Sequence, residues 1–149
     1  IAAAELLKKD FGVVADVWSC PSFTELRRDG IEAERWNMLH PEQPQRKSYV
    51  EQCLEGRGGP AVAATDYMRT FADQIRPFVR RTYRVLGTDG FGRSDFRNQL
   101  RKFFEVDRHY VAVASLKALA DDGAVAASTV AQAIKQYGID TNKPCPWLV

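Results

Sequence analysis

The sequence predicts an α/β fold built as three layers, with a mainly parallel sheet and helices on both of its faces. Short apolar or β-branched runs at 13–19, 61–65 and 83–86 have the composition of strands. Stretches with helical spacing separate these runs, and Ser, Thr or Asp residues stand where the helices would begin. Strands that alternate with helices form parallel sheets, because each helix returns the chain to the same end of the sheet.

Length and charge limit the classes of function. The 149 residues suit one domain, and a hydrophobic share of 45% suffices for a core without disulfides or metals. The net charge of +2 is too small to predict a nucleic acid or an anionic membrane as partner. There is also no run of about 18 apolar residues of the kind that spans a membrane.

The chain opens on a helical pattern that is expected to end at Gly12. The last helix is likewise expected to end at Gly138. The stretch Val13–Ser19 follows and is expected to be a largely buried strand. Because the sequence begins without methionine inside a helical pattern, we expect a fragment of a larger subunit. With three strands recognisable, the sheet is expected to lack a first strand that preceded Ile1.

Capping signals divide the first half of the chain. Ser22 and Glu25 match the S-x-x-E box, which predicts a short helix through Leu26. A second helix is predicted within Ile31–Leu39. A proline-punctuated loop then leads to a helical turn over Tyr49–Leu54.

The second half continues the alternation of strands and helices. Thr65 or Asp66 is expected to cap a helix that ends or kinks at Pro77. One face of that helix is predicted to carry Met68, Phe71, Ala72 and Ile75.

Further caps are expected after the strand at 83–86. Ser94 is predicted to cap one helix and Asp107 a longer one. A box at Thr129 and Gln132 is predicted to begin the last helix.

A glycine-rich loop, Gly87–Arg93, lies between the strand at 83–86 and a predicted helix. Backbone N–H groups at such a position favour an anion, so phosphate binding remains an alternative function for this loop. However, its G-x-x-G-x-G spacing matches neither the dinucleotide fingerprint nor the P-loop. We favour a tight turn with positive φ angles that lets another backbone approach closely.

Other candidate sites have ordinary explanations. Cys20, Cys53 and Cys145 form no C-x-x-C pair and are interpreted as reduced cytosolic thiols. The histidines His40 and His109 are too few for a typical metal site and are interpreted as hydrogen-bonded or exposed side chains. Basic residues near 93–102 alternate with phenylalanines, but nearby acids favour a solvated helix with a buried aromatic face over a nucleic-acid site. The basic residues are Arg93, Arg97, Arg101 and Lys102.

Three segments resemble the C-terminal domain of bacterial homodimeric pyruvate dehydrogenases, in matching order over essentially all of residues 1–149. They are Ser22–Gly30 followed by Glu34–Pro41, Ala64–Met68 followed by Phe71–Ala72 and Arg76–Pro77, and Tyr83–Asp95 followed by Phe103–Asp107. The run R-V-L-G-T-D-G-F-G-R-S-D within the third is long enough to be specific. Phe96 and the stretch 57–59 depart from the family pattern, which limits the transfer of loop geometry.

The resemblance implies a transketolase C-terminal-like domain within a cytoplasmic homodimer that has three α/β domains per subunit. The parent enzyme would decarboxylate pyruvate on thiamine diphosphate with Mg²⁺ and acetylate the lipoyl group of dihydrolipoyl acetyltransferase. In this family the preceding domains hold the cofactor and the metal. No catalytic, cofactor-binding or metal-binding residue is therefore expected in this chain, and the chain alone is expected to be inactive.

The expected role is assembly. The predicted interface residues are Gly87, Thr88, Asp89, Gly90, Phe91, Gly92, Arg93, Ser94 and Asp95. They are expected to dock against the preceding domains or the second subunit, with Asp89, Arg93 and Asp95 fixing the register through hydrogen bonds. The alternatives are a stand-alone module that binds a partner such as the acetyltransferase, a phosphate-ligand domain, and the C-terminal domain of transketolase or another 2-oxoacid dehydrogenase.

Overall fold

The computed structural model describes residues 1–149 as seven α-helices, two strands and two 3₁₀ turns. None of the helices combines the length and the apolar character that crossing a bilayer requires. The 3₁₀ turns cover Arg76–Phe78 and Pro146–Leu148. The remaining elements are α1 (Ala2–Phe11), α2 (Phe23–Leu39), α3 (Tyr49–Leu54), β1 (Ala61–Ala64), α4 (Arg69–Asp73), β2 (Tyr83–Leu86), α5 (Arg97–Phe103), α6 (Arg108–Asp121) and α7 (Ala127–Gln136).

The two strands pair in parallel, which confirms the predicted α/β class with a parallel sheet. The register runs from Ala61 opposite Tyr83 to Ala64 opposite Leu86. Side chains of adjacent strand residues point to opposite faces. Accordingly Tyr83 joins the core beneath α3 and α4, whereas Arg84 pairs with Asp121 of α6 at 2.7 Å. Helices therefore cover both faces of this small sheet.

Two apolar clusters stabilise the chain, one on each side of the sheet. The first joins α1, α6 and α7 and contains Leu7, Ala112, Leu116, Val130 and Ala133. The second joins α3, β2 and the chain around the first 3₁₀ turn and contains Val50, Ile75, Phe78, Val79 and Tyr83. The first cluster uses small alanines on facing helices, which allows the helices to approach closely.

The predicted strand Val13–Ser19 is wrong, because this stretch forms no strand. Val14 is 78% exposed and Trp18 is 52% exposed. β-branched composition makes a strand only when neighbouring backbone groups accept its hydrogen bonds, and the sheet contains β1 and β2 alone. Side chains hold the stretch instead, since Arg57 pairs with Asp16 at 2.5 Å and lies over the Trp18 ring.

One continuous helix, α2, replaces the two short helices predicted between residues 22 and 39. Ser22 is the N-cap as predicted and accepts from the Glu25 N–H at 3.2 Å, but the Glu25 carboxylate pairs with Arg28 and does not complete the box. Gly30 lies within this helix. The position suits glycine because a Cβ there would stand 2.4 Å from the Phe78 ring. A tertiary contact therefore explains the glycine inside α2.

Among the last three helices, the predicted start agrees with the structure at one and differs at two. Asp107 caps α6 as predicted, accepting hydrogen bonds from the N–H groups of the first turn. Ser94 is not a cap, because α5 begins after Phe96. Thr129 and Gln132 lie inside α7, which has no side-chain cap. The capping pattern alone did not distinguish a helix start from a position one turn inside it.

The helix after β1 is shorter than predicted. α4 begins after Met68, and the Thr65 hydroxyl accepts from the Tyr67 N–H and so does not cap the helix. Ala72 is buried as predicted, whereas Met68 is 53% exposed. α4 ends at Asp73, and Pro77, which was predicted to end or kink this helix, lies in the separate 3₁₀ turn that follows. The helical turn at α3 and the left-handed glycines at 12 and 138, with φ of 67° and 61°, are confirmed.

Candidate interaction surface at residues 87 to 95

The first part of the predicted interface is fixed within the chain. A Cβ on Gly87 would lie 2.8 Å from both the Arg69 nitrogen and the Tyr67 carbonyl oxygen. Thr88 donates its N–H to the Tyr67 carbonyl at 2.9 Å and its hydroxyl to the Asp66 carbonyl at 2.6 Å. Only a residue without a side chain allows these two backbones to pack so closely.

The C-terminal 3₁₀ turn covers the middle of the loop. Asp89 accepts the Arg69 N–H at 3.0 Å and also lies 3.3 Å from Nε of the same arginine. That guanidinium stacks over the Trp147 ring at 4.3 Å. Gly90 has a φ of 98°, and a Cβ there would stand 2.8 Å from the Trp147 Cα. The glycine therefore serves both a left-handed turn and a close approach.

The second part of the loop projects from the surface. Phe91 is 86% exposed, and a Cβ on Gly92 would meet nothing within 4 Å. The Arg93 guanidinium lies 4.0 Å above the Phe103 ring. Ser94 is exposed. Asp95 accepts the N–H of the following residue at 2.7 Å.

The exposed part of the loop offers unused hydrogen-bond donors. No backbone N–H group from Gly90 to Asp95 donates a hydrogen bond within the chain. These groups point to solvent or to a partner. Together with the exposed Phe91, they give the loop both polar and apolar means of contacting another surface.

A cavity of about 310 Å³ opens beside the loop. Arg93, Arg97 and Arg101 are among the residues that line it, and Asp66 is its one acidic residue. Asp66 lies 3.7 Å from Arg97 and 3.7 Å from Arg101. The sequence placed these arginines on a solvated helix and gave no sign that Asp66, which precedes α4, would lie between two of them.

Sequence reasoning also missed two residues that hold the loop. Arg69 and Trp147 are 78 positions apart, and no local motif connects them. The only available signal was the left-handed glycine, which indicates a close approach without saying what approaches. Such contacts depend on the path of the chain and not on local spacing.

The cysteines remain free thiols, and Cys20 has no activated character. Burial raises the pKa of the Cys20 thiol, although a backbone hydrogen bond with Ser22 acts in the opposite direction. A raised pKa reduces the thiolate fraction at neutral pH. This agrees with the interpretation of Cys20 as a packed thiol.

The histidines make ordinary contacts. Nδ1 of His40 lies 2.8 Å from the Trp36 carbonyl oxygen, and its ring stacks on the Trp36 ring. His109 lies 3.6 Å from the Asp107 carboxylate. No three His, Cys, Asp or Glu side chains converge in an arrangement that would hold a metal ion.

Comparison with known proteins places this loop in a family. Residues 1–107 match the family model described as the transketolase-like TK C-terminal domain. The chain belongs to this family. The glycine loop, α5 and every residue that lines the cavity lie inside the matched portion of this transketolase-like domain.

The relatives of this transketolase-like domain share one name. The chain is 61% identical over 149 residues to the pyruvate dehydrogenase E1 component of Cupriavidus necator. It is also 61% identical over 145 residues to the E1 component of Pseudomonas aeruginosa. It is 54% identical over 147 residues to the E1 component of Escherichia coli. These matches cover 97–100% of the chain but only 16–17% of each relative.

Proposed function

We propose that the chain is the C-terminal domain of a pyruvate dehydrogenase E1 component. The observation that carries the proposal is the 61% identity to such a component across all 149 residues. The parent subunit would act in the cytoplasm as a homodimer that decarboxylates pyruvate on thiamine diphosphate with Mg²⁺. It would then reductively acetylate the lipoyl group of dihydrolipoyl acetyltransferase, with the lipoyl disulfide reduced as the two-carbon unit is oxidised to an acetyl group.

The residues of this chain do not fit the cofactor. A diphosphate held through Mg²⁺ needs oxygen ligands, commonly one or two carboxylates. The cavity beside the loop offers a single carboxylate, Asp66, which lies between two arginines, and no metal-holding cluster occurs elsewhere. We therefore assign the cofactor, and all steps that involve it, to domains outside this chain.

Activity measurements on the complete subunit and on the chain alone test this assignment. With thiamine diphosphate and Mg²⁺, the complete subunit should release CO₂ from pyruvate, and the 149-residue chain should not. Turnover of a ketose phosphate or of another 2-oxoacid, without turnover of pyruvate, would contradict the assignment in favour of a different thiamine-dependent parent.

The role proposed for this domain is to pack against its neighbours through Phe91–Asp95. This part of the loop combines the exposed Phe91 ring, unused N–H donors and a glycine at position 92 that nothing in the chain requires. Gly92 has no positive φ and no neighbour within 4 Å of a Cβ. A requirement for glycine there would come from a partner surface.

Replacing Gly92 by valine in the complete subunit tests this role. Because the chain leaves open space at that position, Gly92→Val should preserve the fold but weaken assembly and turnover at least tenfold. Gly58→Val is the matched control, since Gly58 also has open space and no positive φ but lies far along the chain from the loop. Equal dimer dissociation constants and turnover for the two variants would contradict docking through the loop.

A further inference from the structure

The cavity beside the loop, named here the arginine cavity, carries an excess of positive charge. Three arginines, Arg93, Arg97 and Arg101, line its volume of about 310 Å³, together with a single acidic residue, Asp66. No other acidic side chain lines it. A concave site with one sign of charge attracts groups of the opposite sign.

Asp66 does not satisfy the arginines around it. Its two oxygens lie 3.7 Å from Nη2 of Arg97 and 3.7 Å from Nε of Arg101, and both distances exceed those of hydrogen bonds. Nε of Arg101 is shielded from solvent and has no hydrogen-bond partner. The same holds for Nε of Arg69 and Arg81 elsewhere in the chain, so the terminal nitrogens of Arg97 and Arg101, which make no hydrogen bond within the chain, are the donors available to an acceptor from outside it.

The rim of the cavity distinguishes a protein partner from a small anion. Phe91 lines the cavity and is 86% exposed, while Phe96, which directly precedes Arg97, is 84% exposed. An inorganic anion inside the cavity would leave both rings in water. A protein surface would cover them, and aromatic and arginine side chains are enriched at the centres of such interfaces.

We propose that the arginine cavity receives an aspartate or glutamate side chain from the protein surface on which the loop docks. The carboxylate accepts hydrogen bonds from Arg97 and Arg101, and Phe91 and Phe96 pack on apolar groups at either side of it. Planar guanidinium groups suit this role because each presents two parallel donors to a carboxylate. This inference rests on the proposed packing role and specifies the chemistry of the partner.

Photocrosslinking in the complete subunit identifies the partner surface. A photoreactive phenylalanine analogue replaces Phe96, and mass spectrometry locates the crosslinked peptide. The expected peptide lies outside residues 1–149 and contains an aspartate or glutamate. A crosslinked peptide without an acidic residue, or crosslinks confined to residues 1–149, would overturn the inference.

Arginine variants of the complete subunit then test the charge. The double variant R97A/R101A should weaken the contact between the arginine cavity and the crosslinked surface at least tenfold. The affinity of this contact should also depend less on NaCl concentration, because two charge pairs are lost. R97K/R101K should keep the salt dependence but lose part of the affinity. The matched control is R27A/R35A, which removes two exposed arginines of α2 that have no ion pair.

A charge exchange completes the test of the carboxylate partner. The same set of variants distinguishes a failure of this inference from a failure of the packing role. Arg97→Glu should abolish the contact, and replacing the crosslinked carboxylate by arginine should restore it. If Gly92→Val blocks assembly while R97A/R101A matches R27A/R35A, the loop docks but the carboxylate partner is wrong. Inorganic phosphate bound at micromolar concentration by the wild type and lost in R97A/R101A would also overturn the inference, because it would assign the cavity to a small anion.

Discussion

At the scale of single residues, the glycines of the loop have different physical roles despite their regular spacing. Gly87 is required by a neighbouring backbone, Gly90 by its positive φ and by Trp147, and Gly92 by nothing inside the chain. The sequence predicted close approach for the loop as a whole. It could not assign that role to one glycine, because the approaching atoms belong to residues that are distant in sequence.

Alanine substitutions separate these roles. Gly87→Ala places a Cβ 2.8 Å from two backbone atoms that cannot rotate away, so the loop or α4 must move. We expect the free energy of unfolding to fall by about 1–3 kcal/mol, as for other overpacked sites. Urea unfolding of the 149-residue chain measures it. Gly92→Ala is the control and should change the value by less than about 0.5 kcal/mol, as is usual for exposed surface positions; equal effects would contradict the assignment.

At the scale of elements, the sequence predicted those whose signals are local. The helical turn α3 and the Asp107 cap of α6 agree with the sequence because their signals lie within a few residues. β1 and β2 agree because each has the other as its partner in the sheet. Val13–Ser19 failed because a strand depends on a partner elsewhere in the sheet. The division of residues 22–39 into two helices was wrong, and Gly30, which lies inside the single helix, packs against the ring of Phe78, 48 positions away, a contact that local spacing does not show.

One contact between elements has a defined pH dependence. Tyr137, just after α7, donates its hydroxyl to Asp10 of α1 at 3.0 Å. Burial, together with the Asp10 carboxylate, raises the pKa of Tyr137 to about 12. In the unfolded chain a tyrosine has a pKa of about 10. The folded state therefore keeps the phenol protonated, and its contribution to stability is full below pH 10 and is lost between about pH 10 and 12.

Thermal unfolding between pH 9 and 12 measures this dependence. Tyr137→Phe should lower the Tm at pH 9, because the hydrogen bond to Asp10 is lost. As the pH rises to 12, the Tm of this variant should fall by less than the Tm of the wild type. Part of the alkaline loss should remain, since burial also raises the pKa of Tyr83. Tyr67→Phe, at a side chain that is 71% exposed, is the control. Parallel curves for the wild type and Tyr137→Phe would contradict the assignment.

At the scale of the whole molecule, the two clusters and the small sheet leave several apolar side chains exposed, and one such surface surrounds the glycine-rich loop. That surface contains the Phe91–Asp95 part of the loop, the exposed Phe96 ring and the arginine cavity. The sequence predicted the loop as an interface and identified the family. The cavity was not predictable, because it forms where α5 meets the end of β1, and only the folded chain brings Asp66 to the arginines.

Hydrogen–deuterium exchange of the loop amides tests the central claim most directly, namely that this domain contributes a packing surface while the chemistry lies in its neighbours. The N–H groups from Gly90 to Asp95 have no acceptor within the chain, so they should exchange rapidly in the 149-residue chain. In the complete subunit we expect the same amides to be protected at least tenfold, while amides of α6 change little. Equally fast exchange of residues 90–95 in the chain and in the complete subunit would contradict the account.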